Sequence, residues 1–252
     1  MKTVLLLGDI TGRSRVALRM LSCVMEDSGH EVLMLPTAMI SNTLNLGMHE
    51  ALDTTDYLLR SLDCWEKLGM RYDFAYIGYI TGLEQAQALC GVADKLRKMG
   101  VPVALDPILG DNGRRYNAVT DGQLAGMRLL CRHADLITPN MTEACLLLGE
   151  DYNPANGLTC ARRLGEMGCS VLITSAETAD GKPAMMGYDK EAAFEIPFER
   201  VPGHRWGTGD LFTGLLIDGL MAGKRMDAAA KDAGEHVGRQ LRGEEKSLLP
   251  EQ

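Results

Sequence analysis

Short, continuous apolar runs alternate with longer helical patterns through most of this chain, and that alternation narrows the fold more than any other feature. The runs Val4–Leu7, Glu31–Leu35, Phe74–Tyr79, Val101–Leu105, Leu136–Thr138 and Val171–Thr174 are the strand candidates. Helical patterns lie near Arg15–Asp27, Asp53–Leu68, Leu83–Met99, Asp121–Arg132, Met141–Leu148 and Asn156–Met167. Strands without polar alternation are buried on both faces, so the pattern predicts a parallel sheet with helices on either side. A ribbon is expected from Ala184–Tyr188 and Ala192–Ile196, turning at Asp189-Lys190, and then helices Asp210–Met221 and Asp227–Arg242. No linker, low-complexity segment or internal repeat interrupts the 252 residues, which suits one α/β domain over 1–252. In such sheets ligands bind beyond the carboxyl ends of the strands. The polar segments expected there are Gly8-Asp9, Pro36–Gly47, Tyr79, Asp106–Tyr116, Thr138–Glu143 and Thr174-Ser175.

Charge and cysteine content limit the partners. A net charge of −8 disfavours a nucleic-acid-binding surface or an anionic membrane. No stretch approaches the ~18 uncharged apolar residues of a membrane span. After Met1 and a single lysine only five residues, Thr3 to Leu7, stand before Gly8-Asp9, too few for a signal peptide. Seven scattered cysteines form no Cys-x-x-Cys pair and read as small hydrophobes kept reduced, which places the expectation in the cytoplasm. The five histidines have no metal-ligand spacing.

Gly207-Thr208-Gly209-Asp210 carries the strongest chemical signal. Two glycines ahead of an apolar helix let backbone N–H groups crowd an anion, and the helix dipole favours it. A carboxylate beside that hole is unhelpful for binding phosphate, but suits deprotonation of a hydroxyl that attacks a phosphoryl group. A Gly-rich turn with an acidic first-turn residue explains the same four residues without chemistry. Common nucleotide motifs are missing. Gly8 to Ser14 has three residues between its glycines and Arg13 in place of the P-loop lysine, and Phe212 breaks Gly-x-Gly-x-x-Gly. Asp106-Pro107 opens a rigid turn at a strand end, where Asp106 could hold Mg²⁺ or cap the loop. Asn140 and Glu143 stand at capping-box spacing, and Tyr79 could stack on a flat ring or be structural.

Five segments in order resemble the ribokinase superfamily, and most closely its pyridoxal/pyridoxamine kinase branch. They are Pro36–Asn42, Asp106–Tyr116 (DPILGDNGRRY), Ala134–Gly149 (ADLITPNMTEACLLLG), Leu172–Ser175 and Gly207–Asp210. The resemblance implies a ribokinase-like three-layer sandwich and a kinase that moves the γ-phosphoryl of ATP to a small pyridine substrate. It implies Asp210 as base, with Gly207, Thr208 and Gly209 as the anion hole. Asp106 and Glu143 would organise Mg²⁺, and Asp106, Thr138, Asn140, Glu143, Thr174 and Ser175 would line the ATP site. The substrate side would be Asp9, Thr37, Asn45, Tyr79 and Asp210. A homodimer and a monovalent cation belong to the same expectation.

Departures concentrate on the substrate side. The family continues its Pro-Thr loop with Ser-Asn-His-Thr or Ser-Thr-His-Thr, whereas here Ser41-Asn42 is followed by Thr43-Leu44. Asp9 stands where many members carry serine and could pair with a substrate amine. Hydroxymethylpyrimidine kinases often have cysteine at the Asp210 position, and sugar kinases a Gly-Gly near the N-terminus; neither feature is present. A non-catalytic vitamin B6 or nucleotide binder on the same scaffold is the remaining alternative, although such a binder has no use for Asp210.

Overall fold

The computed structural model describes residues 1–43, 48–202, 205–245 and 247–250. A nine-stranded sheet runs through it. Its strands are β1 (Thr3–Thr11), β2 (Glu31–Ile40), β3 (Ala51–Asp53), β4 (Phe74–Ile77), β5 (Val103–Leu105), β8 (Leu136–Ile137), β9 (Ser170–Glu177), β10 (Pro183–Asp189) and β11 (Ala192–Pro197). A separate hairpin joins β6 (Gly110–Asp111) to β7 (Arg114–Arg115). The helices are α1 (Leu18–Asp27), α2 (Thr55–Lys67), α3 (Leu83–Lys98), α4 (Asp121–Leu130), α5 (Met141–Leu148), α6 (Gly157–Gly165), α7 (Thr208–Met221) and α8 (Met226–Arg242).

The sheet order is β11-β10-β9-β8-β5-β4-β1-β2-β3. Six central strands are parallel, and the antiparallel pairs lie at the two margins. Alternation along each central strand builds two cores. Leu5 and Leu7 of β1 join one with α2 to α6, while Val4 and Leu6 join the other with α1, α7 and α8. The expected mostly parallel sheet with helices on both faces is present. Strand order reverses at β1, which pairs with β2 on one side and β4 on the other, so the ligand crevice of the fold opens there.

Several boundaries differ from the sequence reading, for local reasons. β1 and β2 run on to Thr11 and Ile40, so Gly8-Asp9 and Pro36–Ile40 lie within paired strands rather than in end loops. A bulge between Gly8 and Asp9 absorbs Thr37, which has no partner opposite it. β9 continues to Glu177, and a second bulge sets Thr174 and Ser175 against Met185 alone. β4 stops at Ile77, two residues short of Tyr79, and α1 begins at Leu18 rather than Arg15. Helix α2 begins at Thr55 because Asp53 belongs to β3 and accepts hydrogen bonds from the Thr55 N–H (2.7 Å) and hydroxyl (2.6 Å). The β10–β11 turn falls on Lys190-Glu191, both at positive φ (46° and 70°), as a tight twisted hairpin requires.

Candidate active site

Helix α7 starts against the loop that joins β1 to α1. Gly207 caps it at φ 81°, and a Cβ there would lie 3.1 Å from the Arg15 carbonyl oxygen, so only glycine fits. The first α7 hydrogen bond runs from the Leu211 N–H to the Gly207 carbonyl (2.9 Å). The N–H groups of Thr208, Gly209 and Asp210 therefore have no acceptor within the helix and face outward for an anion. The Thr208 hydroxyl donates to the Arg205 carbonyl and braces the turn.

Asp210 is held in place from across the crevice. Its Oδ2 accepts the Ala17 N–H at 2.8 Å. Ala17 adopts φ 51°, ψ −134° to aim that N–H, a conformation costly for any residue with a Cβ. Ala17→Gly is expected to raise the unfolding free energy by about 1 kcal/mol, because the strain is released and glycine is an acceptable N-cap. Urea midpoints of the two proteins test it; a lower midpoint for the variant would mean the Ala17 methyl matters more than the strain.

Three further carboxyl groups converge on the same crevice. Asp9, Asp106 and Glu143 are 6%, 9% and 5% exposed. Burial pushes the Asp9 carboxyl up to about 7, and the charge of Asp210 adds to the rise. Asp106 is raised by burial and then by Asp210, partly offset by a hydrogen bond from Thr213. Glu143 is raised by burial and by Asp106, against N–H donation from Asn140 (2.8 Å) and Leu109 (3.1 Å). Asp210 is raised by burial, and the Ala17 N–H opposes it. No lysine, arginine or histidine offsets any of the four among the described residues. Such a cluster favours the protonated carboxyl forms and attracts cations. No three metal-ligating side chains form a complete cage among the described residues. Two hard carboxylates, Asp106 and Glu143, fit Mg²⁺, an ion that keeps waters and phosphate oxygens as its other ligands.

The other expected site residues divide into engaged and open groups. Asn140 caps α5: its Oδ1 accepts the Glu143 N–H (3.0 Å), and its Nδ2 donates to the Gly110 carbonyl (2.8 Å). The capping box is therefore real, and one Nδ2 proton remains for a ligand. The buried Thr138 hydroxyl has no hydrogen-bond partner among the described residues. Thr174 donates its N–H to the Pro139 carbonyl (3.0 Å), so the β9 bulge, with half-buried Thr174 and Ser175, lies beside the Thr138–Glu143 segment.

On the substrate side, Thr37 is fully buried and its hydroxyl donates to the Tyr79 carbonyl (2.6 Å), so it positions Tyr79. Tyr79 packs with Ala38, Ile40 and Ile108 beside the crevice. Asn45 and Leu44 lie outside the described residues.

Sequence reading passed over three contributors. Gln85 donates to the Thr37 carbonyl and the Thr55 hydroxyl (both 2.8 Å) and accepts the Thr81 N–H (2.9 Å). Ala17 carries no side-chain signal at all. Thr213 is three residues beyond Asp210, on the same face of a helix, and that spacing was available.

A helix N-terminus with open N–H groups, the Asp210 carboxylate and the Asp106–Glu143 pair thus meet at the switch point of a sheet covered by helices on both faces, the architecture of the ribokinase-like fold. Residues 39–249 match the family model for phosphomethylpyrimidine kinase, and the chain belongs to that family. Within it the chain groups with the pyridoxal kinase branch. It is 30% identical over 169 residues to the pyridoxine/pyridoxal/pyridoxamine kinase of Bordetella avium, covering 64% of this chain and 57% of that protein. A Bacteroides thetaiotaomicron protein crystallised with pyridoxal superposes with a TM-score of 0.87 at 30% identity, covering 98% of this chain and 89% of the other. Pyridoxal kinase from Lactobacillus plantarum gives 0.84 at 25% identity, with coverages of 97% and 89%. The matched region spans a little over half the length of several curated relatives, 54% to 58%. No helix among the described residues is long and apolar enough to cross a membrane.

Proposed function

We propose that this chain, as a single kinase domain, phosphorylates the 5′-hydroxymethyl group of a vitamin B6 compound with ATP, in salvage of pyridoxal 5′-phosphate. The observation that carries this reading is Asp210, set beside the open N–H groups of α7 and held by Ala17. Asp210 takes the proton of the substrate hydroxyl as that oxygen attacks the γ-phosphorus, and the bond from that phosphorus to the β,γ-bridging oxygen breaks to release ADP. The N–H groups at Gly207, Thr208 and Gly209, with that of Asp210, stabilise charge on the moving phosphoryl. Asp106 and Glu143 hold Mg²⁺, which when bound neutralises phosphate charge. Thr138, Asn140, Thr174 and Ser175 contact the nucleotide. Tyr79 stacks on the pyridine ring, Thr37 positions Tyr79 through its carbonyl, Asn45 is a further substrate-binding residue, and Asp9 pairs with an aminomethyl substituent.

The working compartment is the cytoplasm, where ATP is plentiful and thiols stay reduced. A monovalent cation at the nucleotide phosphates and a homodimer complete the reading. The exposed edge strand β3, with Leu52 61% exposed and neighbouring Met39 51% exposed, offers an apolar surface for the second copy.

The test is phosphorylation of pyridoxal, pyridoxamine, pyridoxine and hydroxymethylpyrimidine by the purified protein with MgATP. Product from a B6 compound, with pyridoxamine preferred, is the expected result. The family description favours one alternative, a hydroxymethylpyrimidine kinase, and product from that compound alone would replace the B6 reading. Nucleotide binding without any product would replace it with a non-catalytic binder.

A further inference from the structure

The charge balance of the crevice is one-sided. Four carboxyl groups face a site that must accept a triphosphate, and none has a basic neighbour among the described residues. One divalent cation leaves that site short of positive charge as the γ-phosphoryl transfers, because negative charge is then spread over three equatorial oxygens. The chain has cations close by, in the β1–α1 loop, Gly12 to Ala17. Arg13 and Arg15 of that loop are both exposed, and neither has an ion-pair partner among the described residues.

The loop is fixed to the catalytic elements at two points. The Arg15 carbonyl abuts Gly207, and the Ala17 N–H binds Asp210 at 2.8 Å. Its backbone is held out of the ordinary regions at Ser14 (φ 70°) as well as Ala17 (φ 51°). Arg19 clamps the Ser14 carbonyl at 3.0 Å. Two strained residues in one short loop persist only where the surroundings over-determine them, and such strain gathers at ligand clamps. Of the two arginines, Arg15 has its backbone against the anion hole, whereas Gly12 ties the Arg13 end of the loop to the Ile40 carbonyl of β2 (2.7 Å).

We propose that Arg15 is a further catalytic residue, the chain's own cation for the γ-phosphate of the bound nucleoside triphosphate, brought to the anion hole by the strained β1–α1 loop. This rests on the kinase reading above. A planar guanidinium suits the role, since it binds phosphate oxygens in pairs and stays charged at every working pH. The loop locks Asp210 and carries Arg15, so base and cation are positioned as one unit.

The test compares the wild-type protein with Arg15→Gln, Arg15→Lys and Arg13→Gln. Calorimetry measures the binding of MgADP and of a non-hydrolysable MgATP analogue, and initial rates give kcat and KM on the preferred substrate. Arg15→Gln is expected to leave MgADP affinity within about twofold and to lower the affinity for the triphosphate analogue about tenfold. It should lower kcat by roughly a hundredfold or more. Arg15→Lys should recover part of both losses, because charge returns without the fork. Unchanged triphosphate affinity and kcat in Arg15→Gln would overturn the proposal, and so would the same losses in Arg13→Gln with Arg15→Gln normal. A wild-type protein that binds the triphosphate analogue but phosphorylates none of the panel would sink the substrate reading alone. The Arg15 assignment would then stand or fall on the analogue binding. Failure to bind any nucleotide would overturn both.

Discussion

Asp210→Asn is expected to lower phosphoryl transfer by ~10²–10⁴ while leaving MgATP affinity largely intact. The amide keeps an oxygen that accepts the Ala17 N–H, so the α1–α7 contact and the anion hole survive the change. It cannot take a proton from the substrate hydroxyl. The same substitution removes a buried charge that pushes up both Asp9 and Asp106. The variant should therefore be no less stable than the wild type above neutral pH, and thermal melts beside the rate measurement separate lost chemistry from lost folding. A rate within a few-fold of wild type would remove Asp210 from the role of base.

The second large effect concerns stability and pH. Asp9 ionises near 7 in the folded protein, against an ordinary value of 3.8. Between those two values the folded state holds a proton that the unfolded chain has released. Stability from this group is then fully present below about pH 4 and falls as pH rises through 7, by of the order of 4 kcal/mol. Asparagine has nothing to ionise and matches the protonated acid in shape. Asp9→Asn should equal the wild type below about pH 4, exceed it progressively between about pH 4 and 7, and keep that margin above 7, in ligand-free protein. Urea unfolding of both proteins at several pH values reads the difference directly. A gap that does not widen with pH would mean that Asp9 is ionised and satisfied in the fold, contrary to its burial beside Asp210. A cationic substrate amine would supply the missing charge, so the preference for pyridoxamine over pyridoxine should shrink in the same variant.

The two predictions describe one arrangement. The site keeps carboxyl groups in a cost-bearing state that only a cation, a substrate amine or a proton relieves. Stability lost there in the absence of ligand is the ordinary companion of function.

Much of the fold was legible because buried parallel strands have a plain signature. The runs at Val4, Phe74 and Val171 are apolar on both faces, and each lies in a central strand between two helical layers. The margins were less legible. β3 has three exposed residues and no apolar pattern, so nothing in Ala51–Asp53 announces a strand. Its existence depends on the pairing that β2 offers. The two bulges that place Thr37 and Thr174-Ser175 follow from register between strands distant in sequence, which no local pattern encodes.

The candidate site shows the same division. Residue chemistry alone marked Asp210 and its glycines, the Asp106 turn and the Asn140–Glu143 cap, because each motif is contiguous and its type is dictated by a short-range need: positive φ, a rigid turn, an N-cap. The sequence by itself thus determined the fold class, the family and the set of groups available for chemistry. Only the tertiary structure decided that four carboxyl groups share one crevice with no basic neighbour among the described residues, that the Ala17 N–H holds Asp210, and that the Arg15 backbone abuts Gly207. Those facts join residues some two hundred positions apart. Local propensity reaches a few residues along the chain, whereas burial, charge repulsion and hydrogen bonding act through space.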